Sequence, residues 1–91
     1  MLIEKSEKKT KKLKATFGNG KVVHFGSAGS QTFLDHKDEI KKAAYLKRHE
    51  KNENWNDPYS AGALSRWLLW NKTTLSASHK DYMARFAEKL K

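Results

Sequence analysis

The stretch Leu13-Lys14-Ala15-Thr16-Phe17-Gly18-Asn19-Gly20-Lys21-Val22-Val23-His24-Phe25 alternates apolar and polar residues on both sides of a glycine-flanked asparagine. That is the pattern of a β-hairpin with one buried face. A two-residue loop at Asn19-Gly20 would pair Phe17 with Val22 but set Lys14 opposite Phe25. A three-residue loop pairs Ala15 with Val23 and Leu13 with Phe25, collecting the apolar side chains on one face. The three-residue register is therefore expected, with Gly20 left-handed.

Downstream of the hairpin the composition changes to helix formers. Gly26-Ser27-Ala28-Gly29-Ser30 carries none of the recognised nucleotide-binding spacings and reads as a flexible connector. From about Leu34 to Glu50, Ile40, Ala43, Ala44 and Lys47 recur at helical spacing, with Asp35, Asp38 and Glu39 near the start where the helix dipole favours acids. The small Ala43 and Ala44 allow close approach by a neighbour. The turn formers of residues 52–60, including Pro58, end that helix, and Ser60 or Asp57-Pro58 opens a second, from Ala61 to about Trp70, that is apolar nearly all round. Thr73 or Thr74 can cap a third helix, in which Leu75, His79, Tyr82, Met83, Phe86 and Leu90 recur at three- and four-residue steps. The expected fold is α+β: an N-terminal hairpin followed by three helices, packed as one small domain over residues 13–91.

Residues 4–12 are almost wholly Lys, Glu, Ser and Thr, with nothing apolar to anchor them, so residues 1–12 are expected to form a lysine-rich flexible arm. Such an arm either makes electrostatic contacts or serves as a solubilising end. The formal net charge is +9, and the front half is the more basic: residues 1–50 carry twelve Lys/Arg against six Asp/Glu, and residues 51–91 seven against four. Charge of this density favours acidic proteins, anionic lipid or nucleic acid as partners and is silent about fold.

Composition narrows the function classes. Ninety-one residues with 37% hydrophobic content supply one core and leave little to line a deep substrate cavity. The absence of cysteine removes disulfides, thiolate metal sites and cysteine nucleophiles, and suits a reducing compartment. No apolar run reaches bilayer-spanning or signal-peptide length, so a soluble protein without membrane insertion is expected. None of His24, His36, His49 and His79 forms the i, i+4 pair of helix-borne metal sites. No serine sits in a nucleophile elbow, and the carboxylates mostly adjoin lysines rather than one another. A non-enzymatic protein with no catalytic residue, metal, cofactor or small-molecule substrate is expected.

Binding residues are more legible. Lys8, Lys9, Lys11 and Lys12 in the arm, and Lys47, Arg48, Lys51, Arg66 and Lys72 further on, are the candidate contacts to an acidic partner or to phosphate. Lys37 and Lys41, with Tyr45, Trp55 and Tyr59 interleaved, extend that basic and aromatic pattern. Trp55, Trp67 and Trp70 are candidate apolar anchors, although a domain this small also needs indoles to build its core.

The order Val23-His24-Phe25-Gly26, Phe33-Leu34-Asp35-His36-Lys37-Asp38, Tyr45-Leu46-Lys47-Arg48-His49, Trp55-Asn56-Asp57-Pro58, Ala61-Gly62, Ser65-Arg66-Trp67-Leu68-Leu69-Trp70-Asn71-Lys72 and Thr74-Leu75 resembles a family of short basic proteins encoded by large nucleocytoplasmic DNA viruses of algae and protists. The resemblance spans roughly residues 13–87, with one departure: family members often carry tyrosine two residues before the His-Lys-Asp step, where this chain has Leu34. It implies a viral setting more strongly than a mechanism. The expectation is a minor capsid or cement-type component of the virion, present in host cytoplasm or viral factory before assembly, that docks on capsid or other virion proteins. The alternative is a nucleic-acid-binding protein without sequence preference.

Overall fold

The computed structural model describes residues 1–90 and is α+β, with three antiparallel strands and four helices. The chain divides into two compact units, residues 1–30 and residue 31 onward, and the boundary falls at the end of the small-residue loop.

The first unit is an antiparallel sheet of β1 (Leu2–Lys5), β2 (Lys11–Thr16) and β3 (Val22–Ser27) in the order β1-β2-β3. Between β2 and β3, Leu13 pairs with Phe25 and Ala15 with Val23. This is the register of the three-residue loop, closed by the Phe17 N–H donating to the Lys21 carbonyl at 2.8 Å. Gly20 takes φ +88, which its lack of Cβ permits at little cost. Ala15, Phe17 and Phe25 are buried.

The residues expected as a free arm contain a strand instead. Leu2–Lys5 pairs with β2, setting Ile3 opposite Ala15. Beyond β1 the chain turns over Ser6–Thr10, where the buried Ser6 hydroxyl accepts from the Lys8 N–H at 3.1 Å and bonds His24 Nδ1 at 2.8 Å. An edge strand this short has little local signal, because its stability comes from the neighbour's unpaired backbone groups.

In the second unit, the single helix expected over 34–50 is two. Helix α1 (Phe33–His36) begins where the Asp35 carboxylate accepts from the Thr32 N–H at 2.7 Å and from its hydroxyl at 3.1 Å. It ends at Lys37, whose φ of +53 is left-handed. Asp38 then caps α2 (Glu39–His49) by accepting from the Ile40 and Lys41 N–H groups. The break sets the phase of α2, so that Ile40, Ala43, Ala44 and Lys47 point outward and Ile40 is 82% exposed. Tyr45 is the buried residue of this helix, flanked by half-buried Lys42, Leu46 and His49. A tyrosine and the stem of a lysine bury more surface than two alanines and leave their polar tips free to find partners. The Lys42 ammonium accordingly donates to the Asn71 carbonyl at 2.7 Å.

Helix α3 (Ala61–Leu64), capped by Ser60 accepting from the Ala63 N–H at 3.0 Å, continues into a π-helical turn over Ser65–Leu69. The wider turn is closed by the Trp70 N–H donating to the Ser65 carbonyl at 3.1 Å, the five-residue step of a π-bulge. Gly62 lies against the preceding loop, where an added Cβ would sit 3.0 Å from Glu53 Cβ. Helix α4 (Leu75–Arg85) starts at Thr74, whose hydroxyl accepts from the Ala77 N–H at 3.2 Å. Phe33, Tyr45, Ala63, Leu64, Leu68, Leu69, Tyr82 and Phe86 are the buried hydrophobic residues of this unit. The buried Tyr82 hydroxyl donates to the Pro58 carbonyl at 2.7 Å. No helix among the described residues is long and apolar enough to cross a membrane.

Candidate functional site

Two stacks of flat side chains organise the second unit. In the first, the Tyr45 ring lies on Trp70 at 4.1 Å between centroids and 6° between planes, and His49 stacks on Tyr45 at 4.1 Å and 25°. The His36 ring meets Trp70 at 5.3 Å, tilted by 54°. Tyr45 and His49 share a face of α2 at i and i+4, and Trp70 reaches them from the end of the π turn. Burial pushes the Tyr45 phenol up to about 12, helped by the nearby Glu53 carboxylate and opposed by a hydrogen bond with Ser65. Glu53 ties the stack to the following loop, meeting His49 Nδ1 at 2.9 Å and accepting from the Trp55 indole N–H at 2.9 Å.

The second stack is cationic. The Arg66 guanidinium sits 4.1 Å from the Trp67 ring centre and 5.5 Å from that of Trp55, and Arg85 sits 3.7 Å from Trp67. Planar guanidinium groups pack well on indole faces. Burial, with Arg85 close by, lowers the Arg66 pKa. Its Nη1 donates to the Trp70 carbonyl at 2.7 Å, while its buried Nε has no hydrogen-bond partner among the described residues. Asp81 balances the pair from Arg85, 3.4 Å away, and accepts from the buried Asn71 amide at 2.7 Å. Burial alone would raise the Asp81 pKa, but the Asn71 hydrogen bond and the Arg85 charge outweigh it and hold the carboxyl below its usual value.

Beside the first stack runs a groove of about 250 Å³ lined by Gln31, His36, Lys41, Ala44, Arg48 and Trp70. Lys41, Ala44 and Arg48 fall on one face of α2 at i, i+3 and i+7. Ala44, at the middle, leaves the room between the two cations. A second, more open groove, lined by Asn54, Asn56, Asp57, Pro58, Tyr59 and Lys89, is about 390 Å³. Its asparagine, aspartate and tyrosine side chains give it no cationic bias like that of the first.

A profile of a family of unknown function, DUF5754, matches residues 1–49, more than half of the chain. The chain belongs to the DUF5754 family. No curated protein and no solved structure matches it. The DUF5754 match takes in the three-stranded unit and continues through α1 and α2. Five of the six residues lining the first groove therefore lie within the DUF5754 match, and Trp70 lies beyond it.

The binding residues expected from sequence fall into three places. Lys8 and Lys9 are exposed on the β1–β2 turn, with exposed Lys11 and half-buried Lys12 at the start of β2. Lys47, Arg48 and Lys51 are exposed at the C-terminal end of α2 and just past it. Arg66 is engaged in the cationic stack, and exposed Lys72 donates its backbone N–H to Ser78 at 3.0 Å. Trp55, Trp67 and Trp70 are each half-buried, with ring faces in contact with a cation or another ring. Sequence reasoning overlooked Gln31 and Ala44 as groove residues, since neither type signals a site by itself.

The four histidines are not gathered. His24 meets Ser6, His49 meets Glu53, and His36 Nδ1 accepts from the Asp38 N–H at 3.0 Å. No cluster of three or more His, Cys, Asp or Glu that could hold a metal occurs among the described residues.

Proposed function

We propose that this protein is a non-enzymatic, small basic component of a large DNA virus particle, of the minor capsid or cement type, that adheres by charge to acidic surfaces of other virion proteins. The viral setting rests on the family resemblance of the sequence. The observation that carries the adhesive mode is the unspent charge: Lys8, Lys9, Lys47, Arg48 and Lys51 are exposed and form no ion pair among the described residues. Exposed cations without carboxylate partners attract an anionic macromolecule and fix its orientation. The tryptophans contribute less than their number suggests, because their ring faces are occupied within the second unit. The exposed Ile40 and Ala43, which precede Lys47 and Arg48 on α2, supply the apolar part of the contact instead.

A nucleic-acid-binding role is the second reading, favoured by the groove that places Lys41 and Arg48 together without a carboxylate lining residue. Mass spectrometry of gradient-purified particles, separated into shell and core, tests both. Retention with the shell at moderate salt is the expected result. Recovery with the core, together with DNA affinity that falls steeply with salt, would move the assignment to the genome. Absence from purified particles would refute the virion role altogether.

A further inference from the structure

We infer that the groove between α1, α2 and Trp70 is a phosphate-binding site that grips the sugar-phosphate backbone of a nucleic-acid strand without reading its bases. This inference concerns one site and holds whether or not the protein is part of a particle.

The first support is the lining. Lys41 and Arg48 supply two cations, Gln31 supplies an amide, and Ala44 and Trp70 supply an apolar floor and wall. The two cations are seven residues apart on one helical face, so their stems rise about 10 Å apart along the axis and their heads can converge over Ala44. Neither forms an ion pair with a described carboxylate.

Two acids close by in the chain, Asp35 and Asp38, are already committed. The Asp35 carboxylate accepts from the Thr32 N–H and hydroxyl, and that of Asp38 accepts from the Ile40 and Lys41 N–H groups. Both serve as helix-start caps, which holds their oxygens on the backbone. An anion entering the groove thus meets two unpaired cations and an amide. Arg48 can present two parallel N–H groups to a phosphate, a fork it would equally offer a carboxylate, so poly-glutamate is the competing probe in the test.

The walls also define what is not recognised. One face of Trp70 is covered by Tyr45 at 4.1 Å, and the His36 ring is tilted against it at 5.3 Å. His36 Nδ1 accepts from the Asp38 N–H, and its Nε2 is buried without a hydrogen-bond partner among the described residues. With Tyr45 on one face of Trp70 and His36 tilted against the ring, the groove is inferred to hold sugar and phosphate rather than a stacked base. Base preference should be absent.

The test is titration of the full chain, followed by backbone amide NMR shifts and by fluorescence anisotropy. The probes are inorganic phosphate, adenosine diphosphate, short oligothymidylate, short oligoadenylate and poly-glutamate. The variants are Lys41→Gln with Arg48→Gln, Lys80→Gln with Lys89→Gln, and Ala44→Leu. The first two remove the same charge from exposed positions, and the third fills the groove without changing charge.

The groove pair should weaken oligonucleotide binding about tenfold or more and make the slope of log affinity against log salt shallower by about two. The pair outside the groove lining should weaken it less than about threefold, as expected for non-contacting charge. Ala44→Leu should weaken it as the groove pair does, and oligothymidylate and oligoadenylate should bind alike. Shifts of Lys41 and Arg48 amides with inorganic phosphate or adenosine diphosphate as well would show that a free phosphate group suffices. Shifts with oligonucleotide alone would assign the site to a continuous strand. Equal losses from the two charge-matched pairs, normal binding by Ala44→Leu, or groove shifts with poly-glutamate but with no phosphate species would each overturn the inference.

Discussion

Replacing Trp70 by alanine removes the middle of the aromatic stack, and its cost can be worked out from the geometry. A fully buried tryptophan cut to alanine costs about 3–5 kcal/mol. Trp70 is half-buried, so roughly half of that applies to lost burial. The parallel contact with Tyr45 at 4.1 Å and 6° adds about 0.5–1.5 kcal/mol beyond area. The total is about 2–4 kcal/mol. For a chain of 91 residues, total stability is of the order of 5–14 kcal/mol, so the variant remains folded at 25 °C but melts roughly 10–30 °C lower. Urea unfolding followed by far-ultraviolet circular dichroism measures the loss without depending on the deleted fluorophore. Tyr45→Leu and the double variant complete a thermodynamic cycle, in which the stack should appear as a coupling of about 0.5–1.5 kcal/mol. A coupling near zero, or a cost for Trp70→Ala below about 1 kcal/mol, would show that the two rings lie together without stabilising each other.

Three further outcomes follow from single contacts. Ser6→Ala deletes the hydroxyl that joins the β1–β2 turn to His24 and should cost about 1 kcal/mol, with faster amide exchange in β1 than in β3. Thr74→Ala removes the cap of α4 and should cost about 1 kcal/mol, with Thr74→Ser restoring most of it in the same melting assay. Two groups should mark opposite ends of the pH range. Tyr45 has a raised pKa, so its contribution is complete below the ordinary tyrosine value near 10 and is lost as pH climbs through about 12. Asp81 has a lowered pKa, so its contribution is complete above the ordinary carboxylate range and is lost as pH falls below it. Alkaline difference spectra and acid unfolding curves of Tyr45→Phe and Asp81→Asn should lose the respective pH dependence.

Much of the local structure could be read from residues near one another in the chain. The register of β2 against β3 follows from the parity of Leu13, Ala15, Val23 and Phe25 around a glycine that tolerates positive φ, because a slip by one residue would turn the apolar set to the other face. The start of α4 at Thr74 and of α3 at Ser60 follows from caps that are satisfied within three residues. The lysines named as binding residues are mostly exposed, as charge in excess of its partners must be.

What the chain order alone left undecided depends on partners distant in sequence. Strand β1 exists because β2 offers an unpaired edge, a fact no property of Leu2–Lys5 announces. The phase of α2 depends on a left-handed Lys37 and on Tyr45 finding Trp70 twenty-five residues away, so the alanine stripe that looked like a packing face is exposed. The groove exists only because that same phase sets Lys41 and Arg48 beside Trp70. Hydrophobic period, caps and turn residues are short-range terms that a sequence carries openly. The choice among competing faces is made by which burial and stacking contacts the folded chain completes, and those contacts exist only in three dimensions.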